Sequence, residues 1–170
     1  MEEVTLIDDK DNAIGQCEKS EAHQKNLKHR AFSVFVFNDK KELLLQKRAA
    51  EKYHSAGLWT NTCCGHPRPG ESTQNAAERR LMEEMGFKCE LKYAFEFSYQ
   101  VDFKNGLHEN ELDHVYFGTF NGEPVLNPVE ADDWKFAGLD FLRKDIAENP
   151  LLYTEWFKIA FPQTCQVLKT

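Results

Sequence analysis

Residues 65–87 read GHPRPGESTQNAAERRLMEEMGF, and they contain the most informative pattern in the chain. A loop rich in Pro and Gly leads to Ser72, whose short polar side chain is of the kind favoured at helix N-caps. Apolar residues then recur at helical spacing, at Ala77, Leu81 and Met85. Gly86 follows, at the position where a helix commonly ends in a left-handed conformation. The stretch therefore predicts a loop, then a helix that begins after Ser72 and ends at Gly86.

The charged residues of this predicted helix fall on one edge. Arg80 and Glu84 are four apart, with Glu83 beside them, which is the spacing of neighbours on a helix surface. An ordinary salt-bridged surface helix is one interpretation of this pattern.

The spacing within residues 65–87 also resembles the Nudix box, a loop–helix–loop that holds a divalent cation against a diphosphate. The matching positions are Gly65, Glu71, Arg79, Leu81, Glu83, Glu84, Gly86 and Phe87. One position differs, because Arg80 stands where the hydrolytic box has Glu. The resemblance implies a Nudix fold, and the exchange of a metal-binding carboxylate for a cation argues against hydrolysis.

The composition restricts the possible classes of protein. The chain has 170 residues, 41% of them hydrophobic, which suffices for one domain with a sizeable core. A net charge of −7 and a pI near 5.4 disfavour nucleic-acid binding, which requires a basic face. No apolar run is long enough for a membrane span, and the acidic start Met1-Glu2-Glu3 differs from a signal peptide. Five cysteines, two of them adjacent, argue against a disulfide framework and for a reduced, cytoplasmic protein.

Alternating and turn patterns predict the remaining elements. The predicted strands are residues 4–8, 13–17, 32–37, 42–47, 95–103, a strand beginning at 108, and 134–137. The predicted helices are residues 139–148 and 151–167. Two polar segments between strands are predicted as loops, one with Lys19, His23 and His29 and one with Arg48 and Lys52. Because strands and helices mix without a regular βαβ rhythm, we predict an α+β fold, a mixed sheet between helices, in one domain spanning residues 1–170.

An acidic pair follows the longest alternating strand. Residues 95–103 place Tyr99 on the apolar side of their strand. After the Asn105-Gly106 turn, the returning strand bears Glu109 and Glu111, which are two apart and therefore project from one face. Exposure at a strand end is one interpretation of this pair. On a dry face, by contrast, the two carboxylates would repel each other unless a cation lay between them.

Three segments together resemble a second, narrower family. They are Asn61-Thr62-Cys63-Cys64-Gly65-His66, the altered box with Arg80, and Glu109-Asn110-Glu111. In this combination the chain is similar, over nearly its whole length, to the type I isopentenyl-diphosphate isomerases. The resemblance implies a 1,3-proton shift that interconverts isopentenyl and dimethylallyl diphosphate through a tertiary carbocation.

The resemblance also implies roles for the residues at the reacting end of the substrate. Cys64 and Glu111, the latter supported by Tyr99, would be the proton-transfer pair, and Trp156 would face the carbocation. The protein's own metal site would comprise His23, His29, His66, Glu109 and Glu111. Imidazoles together with carboxylates suit Zn²⁺, Mn²⁺ or Mg²⁺.

At the diphosphate end, the resemblance implies a set of cations: Lys19, Arg48, Lys52 and Arg80. A separate Mg²⁺ would bridge the diphosphate and Glu84, since Mg²⁺ favours a carboxylate plus substrate phosphates. The guanidinium at position 80 suits phosphate oxygens, which explains the altered box. We therefore expect a small isoprenyl diphosphate as substrate, no nucleic-acid or membrane partner, and a monomer or weak dimer.

Two other functions stay open at this point. A Nudix diphosphate hydrolase would share the fold and Mg²⁺, but it would need Glu at position 80 and has no use for Cys64. A non-catalytic metal-binding module would bind metal without turnover, and it leaves the combination of Cys64, Tyr99, Glu111 and Trp156 unexplained. Cys63 is interpreted as a small buried hydrophobic residue.

Overall fold

The computed structural model describes residues 2–52 and 54–169. Within these ranges the strands are β1 (Glu3–Ile7), β2 (Ala13–Glu18), β3 (His29–Phe37), β4 (Leu43–Arg48), β5 (Trp59–Thr60), β6 (Cys63–Gly65), β7 (Lys92–Asp102), β8 (His108–Thr119) and β9 (Ala131–Ala137). The helices are α1 (Lys19–Gln24), α2 (Thr73–Met85), α3 (Leu139–Glu148) and α4 (Glu155–Val167), and Pro150–Leu152 form a 3₁₀ turn. No helix in the described ranges has the length and apolar character that a membrane span requires.

Strand β3 lies at the centre of a mixed sheet. It pairs antiparallel with β1, β4 and β6 and parallel with β8. Strand β8 also pairs antiparallel with β7, and β4 pairs antiparallel with β5 and β9. The parallel register sets His29 of β3 opposite Glu111 of β8, so two residues far apart in sequence meet at the start of β3.

Both faces of β3 are buried, because helices pack on each side of the sheet. Phe32 and Val34 point to one face, where they pack in a cluster with Leu81 of α2. Phe35 points to the other face and packs in a cluster with Phe157 of α4. The near-continuous apolar run of β3 is typical of a strand buried on two faces. A mixed sheet between helices confirms the predicted α+β class.

The loop and helix of residues 65–87 form as predicted. Ser72 Oγ accepts a hydrogen bond of 3.1 Å from the backbone N–H of Asn75, as an N-cap does. Gly86 ends α2 with a φ of 72°, and a Cβ at this position would lie 2.4 Å from the carbonyl oxygen of Val125. A larger residue at position 86 would therefore meet both backbone strain and a clash.

An ion pair joins the loop to the helix within this stretch. Arg79 donates two hydrogen bonds of 2.8 Å to the two carboxylate oxygens of Glu71. The same carboxylate accepts a hydrogen bond of 2.9 Å from the backbone N–H of Arg68. We call Glu71 and Arg79 the loop pair, because their bidentate contact fixes the loop that precedes α2.

The structure corrects the prediction for the two polar segments. Lys19 and His23 lie in helix α1 rather than in a loop, and His29 is the first residue of β3. Arg48 is the last residue of β4 and not part of the loop that follows. Helix α1 spans only 6 residues, which is too short for an apolar period to show in the sequence.

The structure also corrects the C-terminal prediction of one helix over residues 151–167. Helix α4 begins only at Glu155, after the 3₁₀ turn. The backbone N–H of Thr154 donates to the carbonyl of Trp59 at 3.0 Å, so a tertiary hydrogen bond interrupts the helical run. Within α4, Ile159 is 43% exposed, whereas Trp156 is buried. Strands β5 and β6, of two and three residues, were not predicted because they are too short for a pattern.

Candidate active site

A cavity lies between strands β6, β7 and β8 and helices α2 and α4. Most of the predicted site residues line it: Lys19, Arg48, Lys52, Cys64, His66, Arg80, Glu84, Tyr99, Glu109, Glu111 and Trp156. The remaining two, His23 and His29, lie against His66 and the two glutamates. The fold thus brings together residues from eight of its elements and from the segments that follow β4 and β6.

One part of the site is a compact group of potential metal ligands. We call this group the metal cluster: His23, His29, His66, Glu109 and Glu111. One ligand atom from each residue lies within 4.8 Å of the others. His66 Nε2 and His29 Nε2 lie 2.8 and 3.2 Å from the same oxygen of Glu111. The short separations mean that several ligand atoms converge on one point.

Backbone carbonyls orient two of the imidazole rings. His23 Nδ1 lies 2.8 Å from the carbonyl oxygen of His108, and His29 Nδ1 lies 2.8 Å from that of Leu27. Because a carbonyl only accepts, each Nδ1 bears the hydrogen, and each Nε2 keeps its lone pair for the cluster. This is the arrangement that commonly fixes metal-binding histidines in proteins.

A second observation, two buried polar atoms without partners in the described part of the chain, also indicates that the metal cluster suits a divalent cation. His23 Nε2 and Glu109 Oε2 are buried and have no hydrogen-bond partner among the residues that the structure describes. Leaving such atoms unpaired costs about 1–3 kcal/mol each. Imidazole nitrogens and carboxylate oxygens are ligands of Zn²⁺ and Mn²⁺, and an ion at the centre would satisfy these atoms.

The pKa values in the metal cluster are shifted because its two carboxylates are buried next to each other. Burial raises the pKa of Glu109 well above its usual range, and the charge of Glu111 adds to the effect. Burial also opposes ionisation of Glu111, but the imidazoles of His66 and His29 beside it hold its pKa well below the usual range. Burial lowers the pKa of His66 to about 4, so its ring is neutral near pH 7.

A second part of the site consists of paired charges. We call it the cation clamp: Lys19, Lys52 and Arg80 with Glu2, Glu84 and Glu130. Lys19 Nζ lies 3.1 Å from Glu2 Oε2, and Lys52 forms an ion pair with Glu130. Arg80 Nη2 lies 2.6 Å from Glu84 Oε1 and 3.0 Å from Glu130 Oε1. Each cation of the clamp therefore has an acidic partner.

Arg48 lies apart from the clamp, although the sequence grouped it with the other cations. Its guanidinium lies 5.2 Å from the centre of the Trp156 ring. Arg48 Nη2 donates to the carbonyl of His54 at 3.2 Å, and Arg48 Nε is buried without a partner in the described part of the chain. An unpaired buried N–H donor in a cavity can be satisfied by an anionic ligand.

The third part of the site holds the residues implied for proton transfer. Tyr99 Oη donates a hydrogen bond of 2.6 Å to Glu111 Oε2. Trp156 Nε1 donates one of 2.9 Å to Thr60 Oγ1, which fixes the indole ring. Burial raises the pKa of the Cys64 thiol to about 12. These residues place groups that can exchange protons beside an aromatic ring.

Four titratable residues that line the cavity are missing from the predicted site: Glu2, His54, Asp113 and Glu130. Asp113 was detectable, because it continues the two-residue alternation of Glu109 and Glu111 along β8. Its Oδ2 accepts a hydrogen bond of 2.7 Å from Ser33 Oγ, and burial raises its pKa to about 8. His54 and Glu130 lie in irregular segments, where no period marks a side chain as inward-facing.

Comparisons with known proteins agree with this geometry. The chain matches the Nudix domain family over residues 27–157. It is 54% identical over 155 residues to isopentenyl-diphosphate Delta-isomerase 2 of Aromatoleum aromaticum, covering 91% of this chain and 82% of that protein. It is 55% identical over 159 residues to isopentenyl-diphosphate Delta-isomerase 2 of Photorhabdus laumondii, covering 93% and 90%.

Solved structures share the fold at lower sequence similarity. The crystal structure of DR0079 from Deinococcus radiodurans superposes with a TM-score of 0.78 at 18% identity, covering 93% of this chain and 96% of that one. The MutT protein from Methanosarcina mazei superposes with a TM-score of 0.69 at 19% identity, covering 84% and 96%. The chain belongs to the isopentenyl-diphosphate Delta-isomerase family of Nudix-domain proteins.

Proposed function

We propose that this chain interconverts isopentenyl and dimethylallyl diphosphate by a 1,3-proton shift. The observation that carries the proposal is the 2.6 Å hydrogen bond from Tyr99 to Glu111, in the same cavity that Cys64 and Trp156 line. Two acid–base groups and an aromatic ring around one buried space are what a proton shift through a carbocation requires. The relatives named isopentenyl-diphosphate Delta-isomerase support the same reaction.

Cys64 and Glu111 are the proposed proton-transfer pair. One of them adds a proton to the terminal carbon of the double bond, which leaves the positive charge on the tertiary carbon. The other removes a proton from the neighbouring CH₂ group, and the new double bond forms there. Tyr99 positions the Glu111 carboxylate by donating to one of its oxygens. General acid–base groups of this kind contribute about 10²–10⁴-fold to a rate.

Trp156 stabilises the carbocation in this proposal. Its indole ring is 4% exposed, and the hydrogen bond from Nε1 to Thr60 holds its orientation. A cation over a desolvated aromatic ring gains about 2 kcal/mol. The ring also occupies space that water would otherwise fill.

The cation clamp and Arg48 bind the diphosphate. The clamp cations exchange their carboxylate partners for phosphate oxygens, and Arg48 Nε gains the acceptor that the described residues do not provide. Arg80 suits this role because its fork of N–H donors matches phosphate geometry. A Mg²⁺ ion held by Glu84 and the phosphates would neutralise charge on the diphosphate. Glu84 is already oriented, since Gln46 Nε2 donates to its Oε2 at 2.9 Å.

The metal cluster holds a second divalent ion in this proposal, Zn²⁺, Mn²⁺ or Mg²⁺. When bound, such an ion would offset the charge of two buried carboxylates and fix their orientation. Glu111 then belongs to both the metal cluster and the proton-transfer pair. Tyr99 binds the Glu111 oxygen that does not face His66, so the two roles use different oxygens.

The test is a turnover experiment in D₂O. Purified protein is incubated with isopentenyl diphosphate, Mg²⁺ and Mn²⁺, and the products are identified by NMR and mass spectrometry. We expect dimethylallyl diphosphate with deuterium bound to carbon, and no phosphate release above background. Release of phosphate or pyrophosphate in proportion to substrate, with no deuterium on carbon, would overturn the proposal.

Arg80 distinguishes the proposed isomerase from the alternative, a Nudix diphosphate hydrolase. A hydrolytic box gathers carboxylates that bind the metal ions activating water at phosphorus. Here Arg80 pairs with Glu84 and Glu130, so the position supplies phosphate-binding capacity instead. We expect Arg80→Glu to weaken substrate binding without creating an efficient hydrolase. Efficient phosphate release by this variant would show that the single exchange had suppressed hydrolysis.

A further inference from the structure

The side chain of His54 points inward, although the residue lies in the loop between β4 and β5. Its side chain is 8% exposed, and it lines the cavity. The loop is fixed at its base, because Arg48 Nη2 donates to the carbonyl of His54 at 3.2 Å and the N–H of Gly57 donates to the carbonyl of Arg48 at 3.0 Å. The loop thus holds one side chain inward, at the edge of the site.

The His54 ring lies between two aromatic side chains from other parts of the fold. It stacks on Phe103, with ring centres 5.2 Å apart and an angle of 23° between the planes. It meets Trp156 edge to face, with centres 5.8 Å apart and an angle of 85°. Phe103 belongs to the turn between β7 and β8, where its N–H donates to the carbonyl of Leu107 at 2.9 Å. Two separate loops therefore meet through one ring stack beside Trp156.

The polar edge of the His54 ring points towards the metal cluster. His54 Nε2 lies 3.4 Å from Glu109 Oε1 of the metal cluster. The ring therefore presents its apolar face to Phe103 and a polar atom to the cluster. A purely aliphatic side chain could not satisfy both neighbours.

The opposite end of the cavity is charged and continues to the surface. A groove lined by Arg68 and Arg79 shares several residues with the cavity: Glu2, Lys19, Lys52, Arg80 and Glu130. A charged end of this kind suits the entry of a diphosphate. The hydrocarbon then lies at the aromatic end, where a tertiary carbocation forms and where water has to be excluded.

We propose that the stack of His54 on Phe103 closes the aromatic end of the cavity and keeps water from the carbocation. This inference rests on the proposed isomerase reaction and adds the residues that decide between isomerisation and hydration. If water reached the cation, its oxygen would form a bond to the tertiary carbon and release one proton. The product would be the tertiary alcohol, 3-hydroxy-3-methylbutyl diphosphate, with no oxidation or reduction.

The test measures how the carbocation partitions between two products. Wild-type protein, His54→Ala and Phe103→Leu, each loaded with Mg²⁺ and Mn²⁺, are incubated with isopentenyl diphosphate in H₂¹⁸O. The ratio of ¹⁸O-labelled alcohol to dimethylallyl diphosphate is read by mass spectrometry. We expect this ratio to rise by at least about tenfold in both variants, which corresponds to a change of about 1.4 kcal/mol in relative barriers.

His54→Phe is the matched control, since it keeps a flat ring against Phe103 but removes the polar edge. We expect its product ratio to stay near that of the wild type, even if contact with Glu109 is lost. Phe103 is not one of the potential ligands in the metal cluster, so Phe103→Leu separates closure from metal binding. Metal content, measured on each variant, checks this separation.

Several outcomes would overturn the inference. The first is an unchanged product ratio in both His54→Ala and Phe103→Leu. The second is a rise of the ratio in His54→Phe as large as in His54→Ala. The third is a complete loss of turnover in both His54→Ala and Phe103→Leu. Failure of the proposed function gives a different result, because the wild-type protein would then form no dimethylallyl diphosphate at all.

Discussion

The cation clamp and the metal cluster lie side by side, yet their charges are balanced in opposite ways. In the clamp, three cations meet three carboxylates, and the partners lie within 3.1 Å for Lys19 and Arg80. In the metal cluster, two carboxylates meet three imidazoles, and burial lowers the pKa of both His23 and His66. The clamp is therefore close to neutral, whereas the cluster has excess negative charge.

The difference indicates what each region needs in order to keep its shape. The clamp is complete before substrate arrives, because its own carboxylates occupy the cations, and binding exchanges one set of anions for another. The cluster leaves two buried carboxylates facing each other, which is unfavourable without a cation. We expect the cluster to depend on a resident ion and the clamp to tolerate being empty.

The largest effect should come from removing the metal ion. Stripping with a chelator in the absence of Mg²⁺ should abolish isomerisation and lower the thermal unfolding temperature. When the free concentration of an ion is about a thousand times its Kd, its binding raises the free energy of unfolding by about 4 kcal/mol. Calorimetry with added Zn²⁺ or Mn²⁺ measures this gain independently of activity.

A pair of isosteric variants sharpens the same prediction. Glu109→Gln should weaken metal retention, because it removes a charge from the cluster and keeps the side-chain size. Glu83→Gln is the control, since its carboxylate pairs with Arg79 and Arg80 outside the cluster. Equal metal content in the two variants, or full activity of metal-free protein, would contradict the dependence on an ion.

The next largest effect on kcat should come from Cys64 and should distinguish it from the adjacent Cys63. Cys64→Ala removes the proposed acid–base group and should lower kcat by about 10²–10⁴-fold. Cys63→Ala should leave kcat nearly unchanged, because Cys63 is fully buried in the core cluster beside α2 and does not line the cavity. Steady-state kinetics on both variants decide the matter, and a larger loss in Cys63→Ala would mean that the catalytic cysteine is misassigned.

A smaller effect is expected at the aromatic ring. Trp156→Phe should lower kcat by less than the roughly 30-fold that loss of a whole desolvated cation–π contact of about 2 kcal/mol would cause, because Phe keeps an aromatic face. Trp59→Phe is the control: Lys135 Nζ lies 4.3 Å from the Trp59 ring centre, but Trp59 does not line the cavity. Initial-rate assays measure kcat for both variants. Equal losses of kcat in the two would argue for a general packing effect.

The smallest effect concerns the loop pair, a charge-balanced contact that serves the fold instead of a ligand. Glu71→Gln should lower the free energy of unfolding by about 1–2 kcal/mol near pH 7 and leave kcat unchanged. The hydrogen bonds from Arg79 lower the pKa of Glu71, against a smaller effect of burial. The stabilisation is therefore present above the unfolded pKa of about 4.3 and is lost as pH falls through the lower folded pKa.

Urea unfolding at several pH values measures this dependence. The difference between wild type and Glu71→Gln should shrink once the pH is below about 4. A difference that stays constant from pH 7 to pH 3, or a change in kcat without a change in stability, would place Glu71 in the site instead.

Much of the fold could be predicted because its signals are local. The cap at Ser72, the left-handed Gly86 and the intervening apolar period all lie within one loop and one helix, and helix α3 was predicted with the bounds it has in the structure. The alternation through Tyr99 and the Asn105-Gly106 turn likewise specified the β7–β8 hairpin. Where the local signal was weak, as in α1, β5 and β6, the prediction was wrong or absent.

The candidate site was predictable mainly through the resemblance of its motifs. The pattern alone indicated that Glu109 and Glu111 share a face, but not that His23 and His29 meet them there. The resemblance named these residues, and the structure brings the five ligand atoms within 4.8 Å of one another. Their roles in binding and catalysis stay predictions that the experiments above address.

The sequence by itself determined the box helix, the hairpin, the α+β class and the residue types of the chemistry, because periodicity and turn residues act over a few positions. Only the tertiary structure decided which loops meet beside the cavity and which charges pair. The parallel β3–β8 register, the contact of His54 with Phe103 and the pairing of Glu130 with Lys52 join segments distant in the chain. A local pattern reports which way a side chain faces, whereas its partner is set by how whole elements pack, and no short stretch encodes that.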